Sequence, residues 1–230
     1  MRLSIVIPVL NEADGIARLL DSLQSLRHAG HELIVADGGS SDATLEHAAL
    51  RADQVVRCPR GRAGQMNAGA AVASGAVILF LHADSIFPQH GVAAIAAAIG
   101  ASGRRWGRFN IQLSGNRFLF RTIEWFMNTR SRLTGIATGD QGIFVERKLF
   151  ESIGGFAAIP LMEDIALSAR LKQIERPICL NATLKTSSRR WEQDGAWRTI
   201  WLMWRLRYAY WRGADPAALA QRYYPNRASG

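Results

Sequence analysis

The chain has 230 residues, 48% of them hydrophobic, and a mean hydropathy near zero, which is enough for one α/β domain with a full core and short for two. Its net charge is +9; Lys148, Lys172 and Lys185 are the only lysines, so 25 of the 28 basic residues are arginines, whose planar forks suit phosphates and anionic surfaces. The two cysteines, Cys58 and Cys179, have neither zinc nor redox spacing, which argues against a disulfide framework and fits a reducing compartment.

Leu3–Val9 is a nearly continuous apolar run and reads as a strand buried on both faces, not as a signal peptide. Ile16, Leu19, Leu20, Leu23 and Leu26 then recur at helical spacing. Glu32–Ala36 is a second strand, ending in the turn Asp37–Asp42, and a helix follows over Ala43–Ala52. Val55–Arg57 is a weak third strand, Ala63–Ala73 a helix, and Val77–Leu81 a strong strand. Such alternation predicts a mainly parallel, Rossmann-like sheet with helices on both faces. Right-handed crossovers would bring the loops after these strands to one sheet edge, gathering Asn11/Glu12, Asp37–Asp42 and His82–Asp84.

The second half is less regular. A strand is predicted at Arg108–Leu113, a helix at Asn116–Leu133, a short strand at Gly142–Val145 and a helix at Glu163–Gln173. Pro177–Leu184 reads as irregular or extended, and one or two helices follow Gly195. The expected division is a catalytic domain over 1–192 and a helical segment over 193–230 packed on it.

Three clusters carry chemistry. In Asp37-Gly38-Gly39-Ser40-Ser41-Asp42 the glycines permit a sharp turn close to a ligand, Ser41 or Asp42 can cap the next helix, and Asp37 can accept from the imide of a base. Asp84, just past an apolar strand, can hold a divalent ion bridging two phosphates, and His82 can ligate that ion or donate to a phosphate. Glu163 and Asp164 open a helix, where the macrodipole favours acids; one of them can serve as a general base.

Together Ser4–Glu12, Val35–Thr44, Asn67-Ala68-Gly69 with Ser74–Asp84, and Gly154-Gly155-Phe156 with Glu163-Asp164 resemble glycosyltransferase family 2, over about residues 3–173. Gln65–Gly69, Leu81–Asp84 and Pro160–Asp164 resemble a bacterial subgroup of short, mostly uncharacterised members. The resemblance implies the GT-A fold, a nucleotide-sugar donor, Mn²⁺ or Mg²⁺, and inverting transfer to an unidentified acceptor. It implies that Pro8, Asn11, Glu12, Asp37, Gly38, Asn67 and His82 serve the nucleotide-sugar site, that Asp84 holds the metal, and that Asp164, with Glu163 beside it, is the base.

Two positions depart from the family pattern. His82 stands where an Asp-x-Asp motif has its first acid, and Met66 where an arginine is usual. Arg62, one helical turn before Met66, can supply that charge to the diphosphate. Ser187–Trp191 is faintly similar to a motif of processive members but lacks its Gln; Arg189, Arg190 and Trp191 are expected to close over the diphosphate or acceptor. A sugar nucleotidyltransferase would need a Gly- and Lys/Arg-rich loop where Val9-Leu10-Asn11-Glu12 stands; a catalytically inactive binding module would not need Asp84 or Glu163-Asp164. Nucleic acid is suggested by charge alone and is not an expected partner.

In the tail, Trp197, Trp201, Trp204, Tyr208 and Trp211 form one helical stripe, and Leu202, Met203, Leu206 and Tyr210 another. Arg198, Arg205 and Arg212 run between them on one edge, with Arg207 on the other. Two apolar sides need two partners: the catalytic domain, and either a membrane interface or a second copy of the chain. The expected location is cytoplasmic, at the inner face of the cell membrane if the tail docks there, with a lipid-linked acceptor.

Overall fold

The computed structural model describes residues 1–115, 117–188, 192 and 195–224. Seven strands, β1 (Leu3–Val9), β2 (Glu32–Asp37), β3 (Gln54–Arg57), β4 (Val77–Phe80), β5 (Trp106–Leu113), β6 (Phe144–Glu146) and β7 (Ile178–Thr186), form one sheet in the order β3-β2-β1-β4-β6-β5-β7. Neighbours pair in parallel except around β6, which runs against both β4 and β5. Val9, Asp37 and Phe80 therefore end their strands at one edge.

Alternation along the strands decides which helix each face receives. Ile5, Ile7, Leu33, Val35 and Leu79 pack with α1 (Ala13–Ser22), α3 (Thr44–Ala49) and α5 (Gly91–Ser102) through Ile16, Leu20, Ala48 and Ile95. Val6, Ile34, Ile78 and Phe80 turn the other way, against Met66 of α4 (Arg62–Ala71), Leu149 of α7 (Arg147–Ser152) and Leu167 of α8 (Glu163–Ile174). Each large aliphatic side chain buried this way contributes about 1.5–3 kcal/mol.

Several elements differ from the sequence-based prediction. The helix through Leu26 is two, α1 and the short α2 (Gln24–His28), broken at Leu23. The stretch from Pro177, read as irregular or extended, is extended: it forms β7, which runs on to Thr186 and closes one sheet edge by parallel pairing with β5. α5 was not predicted. Its Ala-rich sequence favours a helix but is apolar on every side, so no stripe marks it. The helix expected from Asn116 is α6 (Phe118–Thr134), and the tail forms α9 (Ala196–Trp211) and α10 (Pro216–Tyr223).

α9 and α10 fold back onto the domain. Leu206 and Leu219 are buried with Leu161 and Met162, just ahead of α8. The start of α9 packs on α6, where Ala196 and Ile200 join Phe120 and Ile123. Among the described residues, no helix is long and apolar enough to cross a membrane.

Candidate active site

The strand ends meet α8, the tail helices and the loop before β6 around a cavity of about 450 Å³, a size suited to a small ligand. Pro8, Glu12, Arg62, His82, Asp84, Glu163 and Asp164 all line it, far apart though they are in sequence.

The loops after β1 and β2 knit together beside it. Asn11, with φ +55°, accepts from the Ser41 amide at 2.8 Å and donates its own amide to Ser40 Oγ at 2.9 Å. Glu12 donates its amide to Thr44 Oγ1 at 2.8 Å. Asp42 accepts from Thr44 N at 3.0 Å and from Ala13 N at 3.2 Å, so one carboxylate serves the starts of both α3 and α1.

The structure does not bring four of the expected residues to the cavity lining. Asp37 is buried, and both its carboxylate oxygens accept from its own turn, through Gly39 N at 3.0 Å and Ser40 N at 3.1 and 3.2 Å. Gly38 leaves room for Gln65, whose side-chain amide would lie 3.0 Å from an added Cβ. Gln65 uses that room to donate to Val9 O at 2.7 Å and Ala36 O at 3.0 Å, tying β1 to β2. Asn11 faces the neighbouring loop, as above. Asn67 exchanges two hydrogen bonds with the Phe156 backbone, both 2.9 Å, which fixes the Gly154–Phe156 turn against α4. Arg189, Arg190 and Trp191 lie outside the described residues.

The opposite wall is built around Gly139–Gln141, a short 3₁₀ turn held by a reciprocal Thr138–Gln141 capping box. Gly139 donates its amide to Asp164 Oδ2 at 2.7 Å. A Cβ on Gly139 would stand 2.9 Å from His82 Nε2 and 3.7 Å from Asp164 Oδ2. The end of β4 and the start of α8 thus converge where Gly139 has no side chain.

Met162 precedes α8 with φ +68°, a conformation uncommon for a side chain of its size. Its burial with Leu206 and Leu219 holds it there, so the tail helices help aim the two carboxylates.

Charge is concentrated on this side. The Glu163 carboxyl is pushed up to about 7, by burial first and by the Asp164 carboxylate second, while Arg62 pulls it back. Arg62 Nε lies 3.9 Å from Glu163 Oε1, and its side chain remains 48% exposed on the cavity wall. Burial, with Arg62 adding, holds His82 well below its ordinary value, so the imidazole is neutral at neutral pH. Burial also raises the Asp140 carboxyl, the Thr138 hydroxyl opposing and the Asp164 charge adding to the rise. His82 Nε2, Asp140 Oδ1 and Arg130 Nε and Nη2 are buried and find no hydrogen-bond partner among the described residues. The Arg130 guanidinium is drawn down to about 10 by burial first and Arg207 second.

Unpaired buried polar atoms are costly, and each calls for a further partner such as a ligand, an ion or a water. Among the described residues, no group of three or more His, Cys, Asp and Glu encloses a metal site. What the cavity offers is partial: Asp84 on its wall, and the orphaned His82 Nε2 and Asp140 Oδ1 on residues of the same lining. That donor set fits a hard divalent cation whose remaining ligands are phosphate oxygens and water.

Sequence reasoning missed Gln65, Asp140, Met203, Arg207, Tyr223 and Tyr224, all of which line the cavity, and Arg130 behind it. The polar run Thr138-Gly139-Asp140-Gln141 ahead of a short strand was the available signal for Asp140. The tail residues carry no local signal, because only tertiary folding brings them to the strand ends.

The sequence profile described as Glycosyl transferase family 2 matches residues 4–153. A PGL/p-HBAD biosynthesis glycosyltransferase of Mycobacterium bovis BCG is 36% identical over 105 residues, 42% of this chain and 41% of that protein. An uncharacterized glycosyltransferase of Nostoc sp. is 30% identical over 97 residues, 39% of this chain and 30% of that one. The matches thus span less than half the length of these relatives.

Residues 1–349 of TarS from S. aureus superpose with a TM-score of 0.67 at 19% identity, over 82% of this chain and 61% of that one; TarS has also been solved with UDP-GlcNAc. Glucosyl-3-phosphoglycerate synthase from Mycobacterium tuberculosis, solved with Mn²⁺, UDP and glucosyl-3-phosphoglycerate, gives a TM-score of 0.57 at 21% identity, over 80% and 70% of the two chains. At such identities the likeness shows the fold, the GT-A type that the sequence motifs implied.

Proposed function

This chain belongs to glycosyltransferase family 2, and from that premise we propose that it moves a sugar, a hexosyl group, from a nucleoside-diphosphate sugar to an acceptor hydroxyl with inversion. The observation that carries the reading is the convergence at Gly139, with the carboxylate pair of α8 on one side and His82 and Asp84, after β4, on the other. The neighbours solved with UDP or a UDP-sugar support the donor class.

In this reading the donor's nucleotide lies along the ends of β1 and β4, between Pro8, Glu12 and Arg62. Asp164, oriented by the Gly139 amide, takes the proton of the acceptor hydroxyl as that oxygen attacks the anomeric carbon. The bond from that carbon to the diphosphate breaks, and its electron pair leaves with the nucleoside diphosphate. Arg62, half exposed on the cavity wall, stabilises the leaving charge. Glu163 keeps Arg62 in place and, through its raised affinity for protons, limits the charge beside Asp164.

Mn²⁺ or Mg²⁺ held by Asp84, in the cavity that His82 and Asp140 also line, would supply further charge neutralisation for the diphosphate when bound. The neutral state of His82 suits it to that setting, since a protonated imidazole offers no lone pair.

The test is transfer and hydrolysis of a panel of nucleotide-sugars with Mn²⁺, by wild type and Asp164→Asn. Loss of the base should lower turnover by ~10²–10⁴-fold and leave UDP binding nearly unchanged. Near-wild-type turnover in Asp164→Asn, with Glu163→Gln dead, would assign the base to the other carboxyl.

A further inference from the structure

Two sides of α9 do different things. Leu206 is buried, and Met203 and Arg207 reach the cavity. On another side Trp197, Trp201, Trp204, Tyr208 and Trp211 lie within one arc of the helix and are 62–76% exposed. α6 adjoins them: its Leu119 and Met127 pack with Ala196 and Ile200 of α9, while Phe118, Trp125, Phe126 and Leu133 remain exposed. So many large apolar groups on two touching helices exceed what a monomer usually shows to water.

The charges around this face select its partner. Arg198, Arg205 and Arg212 follow one border of the aromatic row, and the Arg205 guanidinium stacks 4.4 Å above the Trp201 ring. α9 contains no acid. The one acid of α6, Glu124, is buried and bonded to Leu113 N and Arg121. A body seated here therefore meets aromatic rings and guanidinium groups and no exposed carboxylate of either helix. A second copy related by a two-fold axis across α9 would set this cationic border against itself. Anionic headgroups above an apolar layer complement both parts, and Trp, Tyr and Arg are the residue types that sit at that boundary.

We propose that the α6–α9 face docks this protein peripherally on an anionic membrane. Because α9 is also a wall of the cavity, docking sets the cavity at headgroup level, where the acceptor would be the hydroxyl head of a lipid-linked molecule. The docking stands apart from the transfer reading; the identity of the acceptor rests on it.

Co-sedimentation with vesicles of phosphatidylcholine, with and without phosphatidylglycerol, tests the docking at low and high salt. Wild type should bind the phosphatidylglycerol vesicles at low salt and be released by high salt. Arg198→Ala/Arg205→Ala/Arg212→Ala should partition roughly 100-fold less, at the usual contribution per basic residue. Trp197→Ser/Trp204→Ser/Tyr208→Ser should also lose binding, since it removes the inserted groups. UDP calorimetry on both variants separates the two readings: retained UDP binding shows an intact cavity whatever the vesicles do. Wild type that ignores anionic vesicles, binding unchanged in either variant, or a dimer that Trp204→Ser/Tyr208→Ser converts to a monomer in light scattering would each overturn the proposal.

Discussion

On the wall made by the ends of β1 and β2, the polar side chains next to the cavity are largely bonded to their own loops: Asp37 to Gly39 and Ser40, Asn11 to Ser41, Asp42 to both helix starts, Gln65 to two strand ends. On the wall made by the turn at Gly139, α8 and the tail, polar groups are crowded and incompletely satisfied. Glu163 is pushed toward neutrality, and buried atoms of Asp140, Arg130 and, at the end of β4, His82 find no partner among the described residues. The first wall is a preorganised frame. The second carries the unbalanced charge that a substrate would resolve, and such imbalance is a mark of functional sites.

Substitutions can break this contrast. The largest effect in the second wall outside the chemistry itself is expected at Leu206. Leu206→Ala opens a void against Leu161, Met162 and Leu219 and should cost about 2–5 kcal/mol. If the tail only decorates the domain, turnover of the folded fraction will be unchanged; the account expects it to fall, because Met162 and the carboxylates after it lose their support. Thermal denaturation followed by steady-state assay at a temperature where the variant is folded distinguishes the two.

Glu163→Gln sharpens the contrast from the other direction. A folded-state value near 7, raised from the ordinary 4.5, means that the native state holds the proton more tightly than the unfolded chain. The sign follows: the carboxyl opposes folding increasingly as pH rises through that interval, by on the order of 3 kcal/mol once fully ionised. Glu163→Gln should therefore raise the Tm at about pH 8, with the gain fading toward about pH 4 and below. A Tm lowered at both pH values would show that Glu163 stabilises the fold as an ion.

The smallest expected effect lies in the frame. Asp42→Ala removes the acceptor of two helix-start amides and should lower the Tm slightly. Turnover per folded molecule should stay near wild type, as read by active-site-normalised assays. A loss of turnover without loss of stability would place Asp42 among the groups that touch substrate.

The contrast also explains what could be read from the sequence. β1, β2 and β4 were legible because strands buried on both faces are β-branched runs bounded by turn residues. α5 was hidden by its even alanine composition. The family resemblance located Asn11, Asp37, Gly38 and Asn67, but only coordinates show Asp37 turned onto its own backbone and Gly38 vacated for Gln65. The two apolar sides of α9 were visible as stripes. Its closure over the cavity was not, because Met203 and Arg207 reach the strand ends only through the packing of Leu206 on Leu161 and Met162.

The most direct test of the account is calorimetric titration of UDP and GDP into wild type and Asp84→Ala, with Mn²⁺ and again with EDTA. Asp84 lines the cavity just past β4, on the wall assigned to the donor. Wild type should bind the nucleoside diphosphates in Mn²⁺ and markedly less in EDTA, and Asp84→Ala should show the same weakening with Mn²⁺ present. Equal binding by wild type and Asp84→Ala in Mn²⁺ would contradict it.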